Sequence, residues 1–258
     1  MIDLHTHVLS GIDDGPEDTV GSMAMAHVAA RRGTRTLVAT PHVRDDHPKV
    51  LPGEIRERAR VLNRLVREYG IDLFIVPGAE VALGNAVAMT DEELREVTLG
   101  GNGRDLLVET PYGAVPSVFE SLISSVVERG FRVTLAHPEL SPTFQRDPER
   151  LGRIADSGVL LQITAGSLTH RSAARRLAVK ALDRGWATVL ASDAHSVEWR
   201  PPDLGPGLEA ARRQISGIDA QLDWMVNAAP LAIIQGRDLP PRPQRTARRE
   251  SLWRRLRW

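Results

Sequence analysis

No cysteine occurs among the 258 residues. That absence removes disulfides, thiolate zinc sites and cysteine nucleophiles together, so any metal site must be built from the nitrogen and oxygen donors of His, Asp and Glu. A run of about 18 apolar residues, the minimum for a membrane-crossing helix, is also missing. The N-terminus passes from Met1 straight into a short apolar strand and His5, without the basic-then-apolar pattern of a secretory signal. A cytoplasmic location is therefore the expectation. Net charge is absent too: 33 Lys and Arg balance 33 Asp and Glu, and the whole-protein field gives no reason to expect a nucleic acid partner. Apolar residues at 42% and charged residues at 26% lie near globular averages, which argues against a disordered or fibrous chain. The length suits one α/β barrel and does not force a second domain.

What is present is a rhythm. Short β-rich runs alternate with longer helical patterns, the signature of βαβ units around a parallel sheet. Strands are expected at Ile2 to Thr6, Thr36 to Thr40, Leu73 to Pro77, Asp105 to Glu109, Arg132 to Ala136, Val159 to Thr164 and Ala187 to Ser192, enough for a closed or nearly closed barrel. A helix is expected over Val115 to Arg129, with Val118, Leu122, Val126 and Val127 on the face that covers the barrel. Gly33, Gly70, Gly130, Gly158 and Gly185 each follow a helical pattern and precede a strand, where a left-handed C-cap belongs. After about Arg237 the rhythm stops. This divides the chain into a barrel at 1–236 and a basic, Pro- and Arg-rich C-terminal tail at 237–258, which holds eight arginines against Asp238 and Glu250. Leu252, Trp253 and Leu256 would share one side of a short basic helix there. Such a segment could touch an anionic membrane surface, making the protein membrane-peripheral; a solvated C-terminus is the plainer alternative.

In an α/β barrel the active site is built at the C-terminal ends of the strands, and here those ends carry metal-ligand residue types. Strand one ends in His5-Thr6-His7, whose two imidazoles fall on the same side of the pleat as a chelate requires. The next three strands lead into His42, Glu80 and Glu109, the fifth ends at His137, and the seventh ends in Asp193-Ala194-His195. Five of the eight histidines lie at these ends. Taken singly, His42 or His137 reads as a hydrogen-bonded strand-end histidine and Glu80 as a solvated loop carboxylate. Independent structural roles would not place ligand types at six ends in series. Asp13 and Asp14 sit in a first loop where an Asx turn is the plain reading and a carboxylate folded over the barrel mouth is the other.

MIDLHTHVLSGIDDGP at the start, VATPH at 38–42, PGAEV at 77–81, LLVE at 106–109, LAHPE at 135–139, and ASDAH with RPP at 191–202 together resemble the PHP (polymerase and histidinol phosphatase) superfamily. Within it they resemble the bacterial tyrosine-protein phosphatases of capsule and exopolysaccharide operons. The resemblance runs in order from Met1 to Gly236. It implies a distorted (β/α)7 TIM-like barrel, the PHP fold, with up to three divalent metal ions at its mouth. By that likeness His5, His7, Glu80 and Asp193 hold one ion, Glu80, Glu109 and His137 a second, and Asp14, His42 and His195 a third. Manganese is the family's usual metal, with zinc and iron compatible with the same donors. Clustered cations would lower the pKa of a shared water toward about 7 and supply a hydroxide nucleophile without a covalent enzyme intermediate.

The resemblance also implies a phosphate-binding role for Arg200, which with Asp193 and His195 forms the expected catalytic set. A second family arginine, three residues after His137, is replaced here by Leu140. Arg44, Arg146 or Arg150 could stand in for it, and the departure bears on phosphotyrosine specificity more than on catalysis. The implied substrate is a phosphotyrosine protein, a membrane-associated tyrosine kinase that controls polysaccharide synthesis. Two alternatives stand beside it: a small-molecule phosphatase of the histidinol-phosphate or nucleotide type, and a metal-stabilised kinase-binding protein. An exonuclease fits poorly with a neutral body that lacks a basic stripe. Trp186, Trp199 and Trp224 are expected to pack in the core or at the mouth, with Trp199 bordering the substrate through its neighbour Arg200.

Overall fold

The computed structural model describes residues 1–246. Nine strands form seven staves that alternate with helices: β1 (Ile2–Thr6), β2 (Thr36–Ala39), β3 (His42–Val43), β4 (Phe74–Pro77), β5 (Glu80–Ala82), β6 (Asp105–Glu109), β7 (Arg132–Ala136), β8 (Leu160–Thr164) and β9 (Ala187–Ala191). All seven expected strands are found, with ends differing by one residue at most, within the spread of any boundary definition. β3 and β5 are short resumptions of the second and third staves after breaks at Thr40-Pro41 and Gly78-Ala79. Pro41 has no N–H for the ladder, and at Gly78 a Cβ would lie 3.1 Å from Val38 Cγ1 and 3.0 Å from Leu99 Cδ2.

These breaks split the pairing into a sheet ordered β1-β2-β4 and another ordered β3-β5-β6-β7-β8-β9, with every pair parallel. The Glu80 N–H donates to Pro41 O across the broken staves at 3.1 Å. Past β9, the Asp193 N–H donates to His5 O at 2.9 Å and the His7 N–H to Ala194 O at 2.8 Å, which brings the last stave against the first. The result is a seven-staved, distorted α/β barrel, as the family resemblance implied, with its pairing divided between two sheets.

Side-chain alternation along the staves sorts the core into layers. Leu106 and Val108 on β6 join Leu37, Ile75 and the helix residues Ile55, Leu62, Phe119 and Ile123 in the outer layer. Leu107, between them, belongs instead to a smaller cluster with Leu4, Val38, Val76 and Val189. The helix after β6 spans Phe119–Glu128 and buries Phe119, Ile123 and Val126, while Val118 and Val127 are exposed. This corrects the expected span and face. Val115 precedes Pro116, which disfavours helical backbone there, and the later start turns the 119/123/126 stripe inward. The five punctuating glycines all have left-handed backbone, with φ from 64° to 94°.

Beyond the last helix, Ala228–Ile234, residues 237–246 run along the barrel without helix or strand. Arg242 donates to Gly185 O, and to Ala187 O at 2.6 Å, and lies over the Trp224 ring. Its burial pushes its pKa down to about 10. Arg245 reaches the C-terminal carbonyls of the helix Ala173–Arg184 and the Asp183 carboxylate, a favourable place for a cation. The proposed basic helix with Leu252, Trp253 and Leu256 lies outside the described residues.

Candidate metal centre

All nine residues expected as ligands converge at one end of the staves. Their donor atoms form four overlapping groups: His7, Asp14, His42 and His195; His5, His7 and Asp193; His5, Glu80 and His137; and His42, Glu80 and Glu109. Within each group the donors lie within 4.8 Å of one another, and every residue except Asp14 is buried. Glu80 lies at the centre of the arrangement. Its Oε1 is 2.7 Å from His137 Nε2, and its Oε2 is 3.0 Å from His42 Nδ1, 3.3 Å from His5 Nε2 and 3.5 Å from His7 Nε2.

Local hydrogen bonds turn the imidazole lone pairs into this space. His5 Nδ1 is 3.0 Å from Gln162 Oε1, which can only accept, so the proton sits on Nδ1 and the Nε2 lone pair faces the cluster. His195 is set the same way, its Nδ1 donating to the Asp193 carbonyl at 2.9 Å, and His7 Nδ1 donates to Asp13 Oδ2 at 2.8 Å, which reserves its Nε2 for a cation that displaces the second proton. In consequence His5 Nε2 and His7 Nε2 face each other at 3.1 Å. Four buried atoms of the cluster make no well-aligned hydrogen bond: His42 Nδ1, Glu80 Oε2, His137 Nδ1 and His195 Nε2. Buried polar atoms are normally satisfied. Inward lone pairs, orphaned atoms and a nitrogen–oxygen donor set are what divalent cations require, so the residues present fit the metals that the sequence implied.

The backbone is strained at the same place. Among the described residues, the non-glycine positions with positive φ are His137 (36°) and Asp193 (54°), both of them predicted ligands at strand ends. Such conformations cost about 1–3 kcal/mol each and persist where function over-determines them. Gly15 lets the first loop fold over the mouth, because a Cβ there would lie 2.2 Å from the His7 carbonyl oxygen. That fold separates the two aspartates. Asp14 points at His195 Nε2 (3.2 Å) and His42 Nε2 (3.6 Å), whereas Asp13 stands behind His7 and accepts the His42 N–H at 3.1 Å.

Without cations the cluster balances its charge through its own histidines. Burial opposes protonation of His7 and His137, but hydrogen bonds and charge from Asp13 and Glu80 prevail at His7, and charge from Glu80 prevails at His137, raising them to about 10 and about 9. Burial would raise the Glu80 carboxyl, yet the surrounding imidazoles hold it well below the usual range. His195 is lowered, mainly by burial. Glu109 is raised by burial and by the charge of Glu80.

Arg200 reaches the mouth with Nη1 2.9 Å from Asp193 Oδ2 and Nη2 3.9 Å from Asp14 Oδ2. Leu140, in the short 3-10 turn Pro138–Leu140, is half-buried. Of the arginines that could stand in for the missing one, Arg150 is turned away to Glu120 and Arg146 is exposed on the helix Pro142–Arg146. Arg44 is at the mouth: Asp46 grips it through Nε and Nη2, and Nη1 points at Glu109 Oε1.

Gln162, Tyr112 and His47 also belong to the site, although little in the sequence marks them. Gln162 binds His5 and also accepts the His137 N–H at 3.1 Å; a lone amide within the apolar run of β8 was the available signal. Tyr112 stacks on His137 at 5.2 Å and His47 on His42 at 5.0 Å, and neither has a local sequence mark. Trp186 and Trp224 pack as expected, but Trp199 is 90% exposed. It rides the tip of a turn closed by the His195 N–H to Arg200 O bond, which holds the indole off the body.

A family model for capsular polysaccharide synthesis, CpsB/CapC, matches residues 1–231. The chain is 28% identical over 255 residues to the tyrosine-protein phosphatase YwqE of Bacillus subtilis (strain 168), covering 98% of this chain and 99% of that one. It is 26% identical over 209 residues to the tyrosine-protein phosphatase CpsB of Streptococcus pneumoniae, covering 78% and 86%. A crystal structure from a study of YwqE and CpsB from these organisms, described as unique metal-dependent tyrosine phosphatases, superposes with a TM-score of 0.82 at 27% identity. That match covers 96% of this chain and 100% of the other.

Proposed function

The chain belongs to the CpsB/CapC family of capsular polysaccharide synthesis, and from that premise we propose that it is a metal-dependent protein-tyrosine phosphatase. The observation that carries this reading is the convergence of nine His, Asp and Glu donors at one end of the barrel, with the Nδ1–H groups of His5, His7 and His195 directed outward. His5, His7, Asp14, His42, Glu80, Glu109, His137, Asp193 and His195 are proposed to hold two or three divalent ions, with manganese the preferred metal. When bound, such ions supply Lewis acidity toward phosphoryl oxygens and acidify nearby water.

The protein's own groups supply the rest. Arg200 extends a planar guanidinium beside Asp193, suited to the non-bridging oxygens of a phosphomonoester, and Asp193 and His195 complete the catalytic set on either side of it. Burial lowers the His195 pKa. An aryl ester suits a site of this kind, because a phenolate, with a parent pKa of about 10, leaves without full protonation far more readily than a serine alkoxide. Tyr112, half-exposed and stacked on His137, gives the mouth an aromatic wall.

The substrate is taken to be a phosphotyrosine protein, a membrane-associated kinase that regulates polysaccharide synthesis, met in the cytoplasm. No described helix is long and apolar enough to cross a membrane. Residues 1–236 are taken as the phosphatase unit and 237–258 as an accessory segment that could add a weak membrane contact. The test compares hydrolysis of a phosphotyrosine peptide, a phosphoserine peptide and histidinol phosphate by manganese-loaded protein, with His42→Ala and Arg200→Ala as controls. Preference for phosphotyrosine, lost in both variants, is the expected result. Preference for histidinol phosphate would move the protein to the small-molecule branch, and inertness on all three would favour a kinase-binding role.

A further inference from the structure

A groove of about 530 Å³ opens from the Asp14, His195 and Arg200 side of the centre, between the first loop with the start of the helix Thr19–Arg31 and the turn His195–Arg200. Two apolar side chains there stand in water: Trp199 is 90% exposed and Val20 76%. The turn beneath Trp199 is held by its main-chain N–H, which donates to Ser196 Oγ at 3.0 Å. An indole presented to solvent at the edge of a reaction site is the type of side chain that anchors binding partners.

The open wall of the groove is acidic. Asp14, Glu17 and Glu198 line it, and Arg200, the only Arg or Lys in the lining among the described residues, turns inward to Asp193. Acidic walls therefore adjoin a site for a dianionic phosphate, and the two cannot both serve the phosphate.

On the basis of the phosphatase reading, we propose that this groove seats the residues flanking the phosphotyrosine of the substrate polypeptide, and that it selects a Lys or Arg there. The cationic side chain lies over the Trp199 indole and faces Glu17 and Glu198, with its alkyl stem against Val20. The aryl phosphate itself stays in the metal centre, so the groove contributes to protein substrates and not to small aryl phosphates.

The test uses full-length, manganese-loaded protein and a phosphotyrosine peptide series of one length, with Lys, Ala or Glu beside the phosphotyrosine on either side, together with 4-nitrophenyl phosphate. An exposed cation–π contact plus two rim charge pairs predicts a kcat/KM span of about tenfold, in the order Lys, Ala, Glu. Glu17→Lys/Glu198→Lys should reverse that order while 4-nitrophenyl phosphate stays within about twofold, and Trp199→Ala should shrink the Lys preference. Equal rates across the series, or a preference for Glu, alongside strong 4-nitrophenyl phosphate hydrolysis would overturn the groove alone. Failure to hydrolyse any aryl phosphate would overturn the phosphatase reading beneath it.

Discussion

Asp13 tests the idea that outward hydrogen bonds set the metal-binding geometry. Its buried carboxylate accepts from His7 Nδ1–H at 2.8 Å, from the His42 N–H at 3.1 Å and from the Gly15 N–H at 3.1 Å. Asp13→Ala strands these donors and frees His7 to place its proton on Nε2, where it would block the inward lone pair. Loss of a carboxylate behind a ligating histidine typically costs about 10–100-fold in metal affinity or activity. Each of the three stranded buried donors adds about 1–3 kcal/mol of destabilisation, so at the low end, about 3 kcal/mol, the metal-free protein should melt roughly 6–12 °C lower. Asp13→Asn keeps an acceptor oxygen but no charge, and should fall between. Chelator competition measures the affinity, and differential scanning calorimetry the stability. Wild-type affinity and rate in Asp13→Ala would refute the reasoning.

Arg44→Ala should weaken inhibition by inorganic phosphate about tenfold, the low end for a charge-assisted contact at a partly exposed side chain; unchanged inhibition would show that Arg44 serves only Glu109. Arg242→Ala removes the bonds to Gly185 O and Ala187 O far from the nine-donor cluster, and should cost about 2 kcal/mol and several degrees in Tm without altering hydrolysis of a small aryl phosphate. The metal-free protein should lose stability as pH rises. His7 and His137 are raised in the folded state to about 10 and about 9, so their contribution is complete below the unfolded value of about 6.5 and disappears as pH climbs through the folded values. By the same linkage, adding manganese at pH 7 to unbuffered protein should release protons, and a pH-stat trace that stays flat would contradict it.

The staves were legible because their β-rich runs are punctuated by glycines whose left-handed φ the structure repeats, and the ligand types stand at strand ends where the chain order alone displays them. The exchange of partners at Thr40-Pro41 and Gly78-Ala79 was not legible, since it depends on how distant strands meet. Nor were the left-handed conformations of His137 and Asp193, because the preference of His and Asp for that region is weak and the constraint comes from the assembled site. Choosing between Asp13 and Asp14 required the path of the first loop past His7, which Gly15 permits. The face of the helix Phe119–Glu128 was misjudged by about one residue's rotation, because apolar residues flank the true stripe on both sides and only the proline fixes where the helix begins.

The most direct test measures metal content and phosphotyrosine hydrolysis in the same samples, for wild type and Glu80→Ala. Wild type should carry two or three ions per chain, lose activity on chelation and regain it with manganese, whereas Glu80→Ala should lose both metal and activity together. Hydrolysis by metal-free wild type at the loaded rate, or full activity in Glu80→Ala, would contradict the account.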